Sequence, residues 1–148
     1  MARARRIPAE VFLSHSHKDR AFVSRVARQL RKNNIKFWYS GRHIIGSKQW
    51  HDEIGKALSR CDWFLLFLSP HSVKSPWVKK ELLYSLNNAR YEERIVPVLF
   101  RDCNHGLLSW TLEQIEMVDF RDDFRAGCRA LLRVWGLPRR SVARPAKK

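Results

Sequence analysis

Two side chains four residues apart, Trp77 and Glu81, put an indole and a carboxylate within reach of each other. On a helix, positions i and i+4 share one face. A carboxylate held beside an indole in a partly dry pocket stabilises an oxocarbenium-like transition state when a glycosidic bond breaks, or orients a ribose hydroxyl. The indole offers a flat surface on which a heterocycle can stack. The same spacing also fits a surface glutamate near a helix N-terminus, favoured by the helix dipole, beside a core tryptophan. Spacing alone leaves both readings open. His15-x-His17 has the form of a metal pair, but no third ligand or carboxylate cluster accompanies it. Loop histidines bonded to the chain are preferred, and no metal is expected.

The familiar alternatives are missing. There is no G-x-x-x-x-G-K-[ST], which excludes a P-loop NTPase, and no G-x-G-x-x-G after the first strand. A G-x-S-x-G elbow is also absent, which argues against a serine hydrolase. Ser69-Pro70 stands where a phospho-receiver of similar build would carry an aspartate at the end of its third strand.

The elements that must position Trp77 and Glu81 follow from hydrophobic patterning. Val11-Phe12-Leu13 predicts a short buried strand ending at Ser14-His15. Asp19 is placed to cap a helix over about 20–32, whose stripe is Phe22, Val23, Val26, Ala27 and Leu30. Residues 35–39 read as a second strand, 40–47 as a loop with Gly41 and Gly46, and about 49–60 as a helix. The all-apolar run Trp63 to Leu68 has the mark of a central parallel strand buried on both faces. Ser75-Pro76 predicts an N-cap with proline at the first helical position, and the helix reads on to about Arg90. Ile95 to Phe100 is a fourth strand, placed toward an edge because Pro97 cannot donate to a ladder. The stretch 101–114 reads as loop with a helical turn, 115–120 as a fifth strand, and 122–135 as a closing helix.

Five alternations of strand and helix predict an α/β, flavodoxin-like domain: a five-stranded parallel sheet in the order 2-1-3-4-5 with helices on both faces. Ligands on such sheets bind outside the carboxyl ends of the strands, at the switch point between strands one and three. The segments expected there are Ser14 to His17, Ser40 to Ser47, Ser69 to Trp77 and Arg101 to His105.

The 148 residues allow one domain. Its expected limits are 9–136, with a basic tail over 1–8 and another over 137–148. The net charge is +15, and eight of the 29 basic residues lie in residues 1–6 and 137–148, neither of which holds an acid. These ends are read as solubilising tails. Nucleic-acid binding is not expected, since most of the six Trp fall in strand or helix stripes. Three cysteines without a C-x-x-C signal neither a disulfide framework nor a zinc site. No apolar run is long enough for a membrane span and no signal-peptide core follows the basic start, so a cytoplasmic location is expected.

Several segments, taken in order, resemble the TIR (Toll/interleukin-1 receptor) domain family. Residues Val11 through Asp19 look like its first signature box. Gly46-Ser47-Lys48-Gln49-Trp50, with Ile54 and Ala57-Leu58, looks like the end of the BB loop and the helix after it. Leu68 through Ser72 and Ser75 through Leu82 are similar to the segment bearing the catalytic glutamate of TIR NAD hydrolases, and Ile95 to Leu99 matches the fourth strand. The pattern looks closer to bacterial TIR proteins than to animal receptor adaptors.

The resemblance implies that Glu81 is catalytic in cleaving the nicotinamide–ribose bond of NAD+. Substrate-binding positions would be Phe12, Ser14, His15, Ser40, Trp50 and Trp77. NAD+ would be the substrate, and no cofactor is implied. The expected products are nicotinamide with ADP-ribose or a cyclic ADP-ribose isomer, in bacterial antiphage immune signalling. The loop from Ser40 to Trp50 would be the BB loop, helping to form both the site and a TIR–TIR contact in a homo-oligomer. A downstream effector would read the product. Ser40 departs from the acidic residue many members carry there, which bears on any ribose contact from that position. His17 and Lys18 make the first loop basic, which suits a dinucleotide's phosphates or plain solvation equally. A non-catalytic TIR–TIR adaptor module is the alternative, with the same fold and loop.

Overall fold

The computed structural model describes residues 7–40 and 47–137, with side chains from His51 onward in the second stretch. The basic stretches 1–6 and 138–148, Gly41 and Gly46, and the side chain of Trp50 lie outside the described residues. The strands are β1 (Val11–Ser14), β2 (Phe37–Tyr39), β3 (Trp63–Leu68), β4 (Ile95–Leu99) and β5 (Val118–Asp119). Between and after them run α1 (Arg20–Lys32), α2 (Ser47–Arg60), α3 (Pro76–Leu86) and α4 (Phe124–Val134). The sheet is parallel throughout, in the order β2-β1-β3-β4-β5.

Side-chain alternation along β1 and β3 splits the core into two layers. Val11, Leu13, Trp63, Leu65 and Phe67 pack with the α1 stripe of Val23, Val26, Ala27 and Leu30 and with Leu131, Leu132 and Trp135 at the α4 end. Phe12, Phe64, Leu66 and Leu68 pack with Ile54, Ala57 and Leu58 of α2 and with Val78 and Leu82 of α3. All six residues of β3 are buried, as its unbroken apolar run requires.

Three local features differ from the patterning. Asp19 sits at the start of α1 without a side-chain cap bond; its carboxylate instead accepts from the Ser69 hydroxyl at 2.5 Å, reaching across to the end of β3. Helix α3 stops at Leu86 rather than Arg90. The Asn87 side chain donates to the Leu83 carbonyl at 2.9 Å, and Asn88 caps a 3-10 turn over Ala89–Tyr91. That turn drives Tyr91 into the core, where its hydroxyl donates to the Leu58 carbonyl at 2.6 Å. β4 lies one strand in from the edge and pairs on both sides, though with β5 only at Val98 and Leu99. Arg94 and Phe100 bond β3 while the Leu99 carbonyl bonds Phe120, so strict alternation turns the Pro97 nitrogen toward β5. β5 begins only opposite Val98, so no ladder bond is lost there. The fifth strand is two residues long; Ile115 instead closes the preceding 3-10 turn, its N–H donating to the Leu112 carbonyl.

Ser75 does cap α3, its hydroxyl accepting from the Val78 N–H at 3.2 Å with Pro76 behind it. This cap sets where Trp77 and Glu81 stand at the carboxyl end of the sheet.

Candidate active site

The site is built at the switch point, where β1 and β3 end side by side. Ser14 is the last residue of β1, and alternation puts it on the same face as Phe12, toward α3. Ser40 follows β2 directly; its N–H donates to the Leu13 carbonyl at 3.0 Å, which fixes it beside β1. Helix α3 brings Glu81 down onto both. Ser14 Oγ donates to Glu81 Oε1 at 2.6 Å, and Ser40 Oγ donates to Oε2. Glu81 is 2 % exposed. Burial pushes its carboxyl up to about 7, while the two hydroxyls favour the charged form and pull the other way.

Apolar rings form the floor. Phe12 is fully buried, stacked on Phe64 with ring centres 5.4 Å apart and tilted against Trp38 at the same distance. Trp77 stands one turn before Glu81, partly buried. The ring of His51 in α2 meets it edge-on at 4.6 Å, and the Lys80 ammonium lies 5.1 Å from its ring centre. Trp38, His51 and Lys80 carried no sequence signal for the site. His51 is the fifth residue of α2, and its ring contact with Trp77 joins α2 to α3.

The structure thus brings Ser14, Ser40 and Glu81 into direct contact, with Phe12 beneath and Trp77 on the same helix. It does not bring His15 to them. His15 is 2 % exposed on the other face of the sheet, between Tyr39 and Phe67. Its Nδ1 donates to the Leu13 carbonyl at 3.1 Å, which leaves the Nε2 lone pair free of any partner among the described residues. Burial lowers its pKa to about 4, so it is neutral. A second serine–carboxylate pair flanks the mouth on that side. Ser69 Oγ donates to Asp19 and accepts from the N–H groups of His71 and Ser72 at 3.1 and 3.2 Å. Among the described residues no group of three or more His, Cys, Asp or Glu is placed to hold a metal ion.

Residues 11–132 match the TIR domain family. In sequence, the chain is 28% identical over 91 residues to the NAD(+) hydrolase TirS of Staphylococcus aureus (strain MSSA476). That match takes in 61% of this chain but only 32% of the relative, so the chain spans about a third of that protein's length. In structure, it is similar to the TIR domain of the Toll-related receptor TRR-2 from Hydra magnipapillata, with a TM-score of 0.68 at 21% identity over 83% of this chain and 94% of that one. It is also similar to a metazoan TIR-STING receptor from C. gigas, solved in complex with 2',3'-cGAMP: TM-score 0.69 at 20% identity, covering 93% of this chain and 42% of the other. The TIR domains of the activated Roq1 resistosome give 0.67 at 18% identity over 84% of this chain and 98% of theirs.

Proposed function

The chain belongs to the TIR domain family, and from that premise we propose that it is an NAD+ hydrolase with Glu81 as its catalytic carboxylate. The observation that carries this reading is a buried glutamate at the sheet's switch point, one turn from a half-buried tryptophan and ionising near neutrality. The name of the Staphylococcus aureus relative supports the same chemistry.

In this reading the glycosidic C–N bond of NAD+ breaks and its electron pair leaves with the nicotinamide nitrogen. Positive charge grows on the ribose C1 and ring oxygen. The Glu81 carboxylate, poorly screened in its dry pocket, stabilises that charge more in the transition state than in the ground state. Water adds at C1 and loses a proton, giving ADP-ribose. An adenine nitrogen adding in its place gives a cyclic isomer. Trp77, and Trp50 at the far end of the loop from Ser40, would line the nucleotide. Self-association through that loop, a cytoplasmic setting, a role in bacterial antiphage signalling and an effector that reads the product complete the proposal. Among the described residues no helix is long and apolar enough to cross a membrane.

The test is nicotinamide release from NAD+ at high protein concentration, wild type beside Glu81→Gln, with products separated by chromatography. Release by the wild type that vanishes in a folded variant supports the assignment; equal release from both ends it. A second reading, a non-catalytic TIR–TIR module, draws on the 2 % exposure of Glu81. Assembled protein that consumes no NAD+ would favour it.

A further inference from the structure

Ser14 and Ser40 are 0 % and 1 % exposed. Buried hydroxyls are costly unless bonded, and among the described residues the bond each one donates goes to Glu81. The two donors come from different strand ends, and each addresses a different carboxylate oxygen. A glutamate side chain has three rotatable bonds; one anchored oxygen leaves the carboxylate free to swing, whereas two fix its plane and direction. Both donors are themselves held: Ser14 by pairing with Leu66 in the sheet, Ser40 by its N–H on Leu13. Each hydroxyl proton is committed to the carboxylate, so neither is offered to a ligand.

We propose that Ser14 and Ser40 are positioning residues, which act through Glu81 by fixing its carboxylate from two strand ends rather than by touching the substrate. This rests on the reading of Glu81 as the reacting carboxylate. It reassigns two positions that the family resemblance alone would count as substrate contacts. An ionised carboxylate offers about four lone-pair sites, so two remain for a ligand after the serines have taken theirs. Orientation is thereby settled before binding, and no rearrangement is needed at the moment of reaction. The hydroxyls also oppose the burial that raises the Glu81 pKa, keeping a charged fraction at neutral pH. Among the described residues, other ionisable groups near the pocket include His51 of α2 and Lys80 of α3, both against Trp77, with neutral His15 across the sheet.

The experiment is a carboxyl 13C NMR titration of Glu81 in the full chain, for wild type, Ser14→Ala, Ser40→Ala and Ser40→Thr. The wild-type midpoint is expected near 7. Each alanine should move it up by about one pH unit, the worth of one hydrogen bond to a charged group, and threonine should hold it near wild type. In nicotinamide release, the alanine variants should lower kcat about tenfold at neutral pH with KM for NAD+ within twofold, the kcat–pH profile shifting upward with the midpoint. Unmoved NMR midpoints overturn the proposal, as does a raised KM with kcat intact, which would make the serines substrate contacts. Should Ser14→Ala fail to fold, the Ser40→Ala and Ser40→Thr pair decides alone. The titration needs no turnover, so a chain that released no nicotinamide would sink the enzymatic reading while the NMR result still judged the positioning.

Discussion

Two buried carboxylates flank the mouth of the sheet, and each takes a hydrogen bond from serine, yet they are built differently. Asp19 accepts from Ser69, whose oxygen is already engaged by the N–H groups of His71 and Ser72. That arrangement is a knot: it ties the turn before α1 to the turn after β3. Glu81 accepts from Ser14 and Ser40, which among the described residues take no such secondary loop bonds, and one turn away on its helix stands a half-buried indole. The difference teaches that a serine–carboxylate bond is not itself a sign of function. What distinguishes the reactive candidate is where its donors are rooted and what else faces the pocket.

The comparison is most sharply broken by activity. Glu81→Gln should lower nicotinamide release at least 10²- to 10³-fold, the usual cost of losing a positioned charge-stabilising group. Asp19→Asn should leave the specific activity of its folded fraction close to wild type. Comparable losses in both would erase the distinction.

Next in size is a pH effect on stability. Glu81 ionises near 7 in the fold, against about 4.5 without burial. Below pH 4.5 it is protonated in both states and contributes no slope. As pH rises through 7 the unfolded chain releases its proton first, and the folded state loses on the order of 3 kcal/mol. Urea unfolding from pH 4 to 8 should therefore show Glu81→Gln gaining on the wild type up to about pH 7 and levelling beyond. Parallel curves would mean that the carboxylate ionises normally.

The knot should show itself in stability alone. Ser69→Ala leaves the Asp19 carboxylate and two backbone N–H groups without their partner, which costs about 1–3 kcal/mol. Ser75→Ala, removing the cap of the helix that bears Glu81, should cost about 1 kcal/mol, read as a fall in Tm of about 2–4 °C. A collapse of activity in Ser75→Ala protein that remains folded would show that the helix start, and not the serine pair, aims the carboxylate.

The sequence made some of this legible and hid the rest for physical reasons. Order and direction of the strands followed from apolar runs alternating with helical stripes, because burial on two faces leaves no other pattern for β3. Trp77 and Glu81 were found because a helix turns i, i+4 spacing into adjacency. The Ser14–Glu81 and Ser40–Glu81 bonds span 67 and 41 residues, and no local pattern encodes such pairings. His15 shares a sequence box with Ser14, yet side-chain alternation puts consecutive residues on opposite faces. Asp19 misled for a related reason: a residue suited to capping was claimed by a hydroxyl just past β3, 50 positions away. At 87–88, two asparagines overrode helical periodicity through their own side-chain bonds.

The two outer strands are the shortest in the sheet, three residues in β2 and two in β5. An intensely apolar centre is thus bordered by rims too brief to template a foreign chain. Among the described residues, strand addition by a foreign chain is offered only two or three ladder positions on either side, too few to seed a fibril.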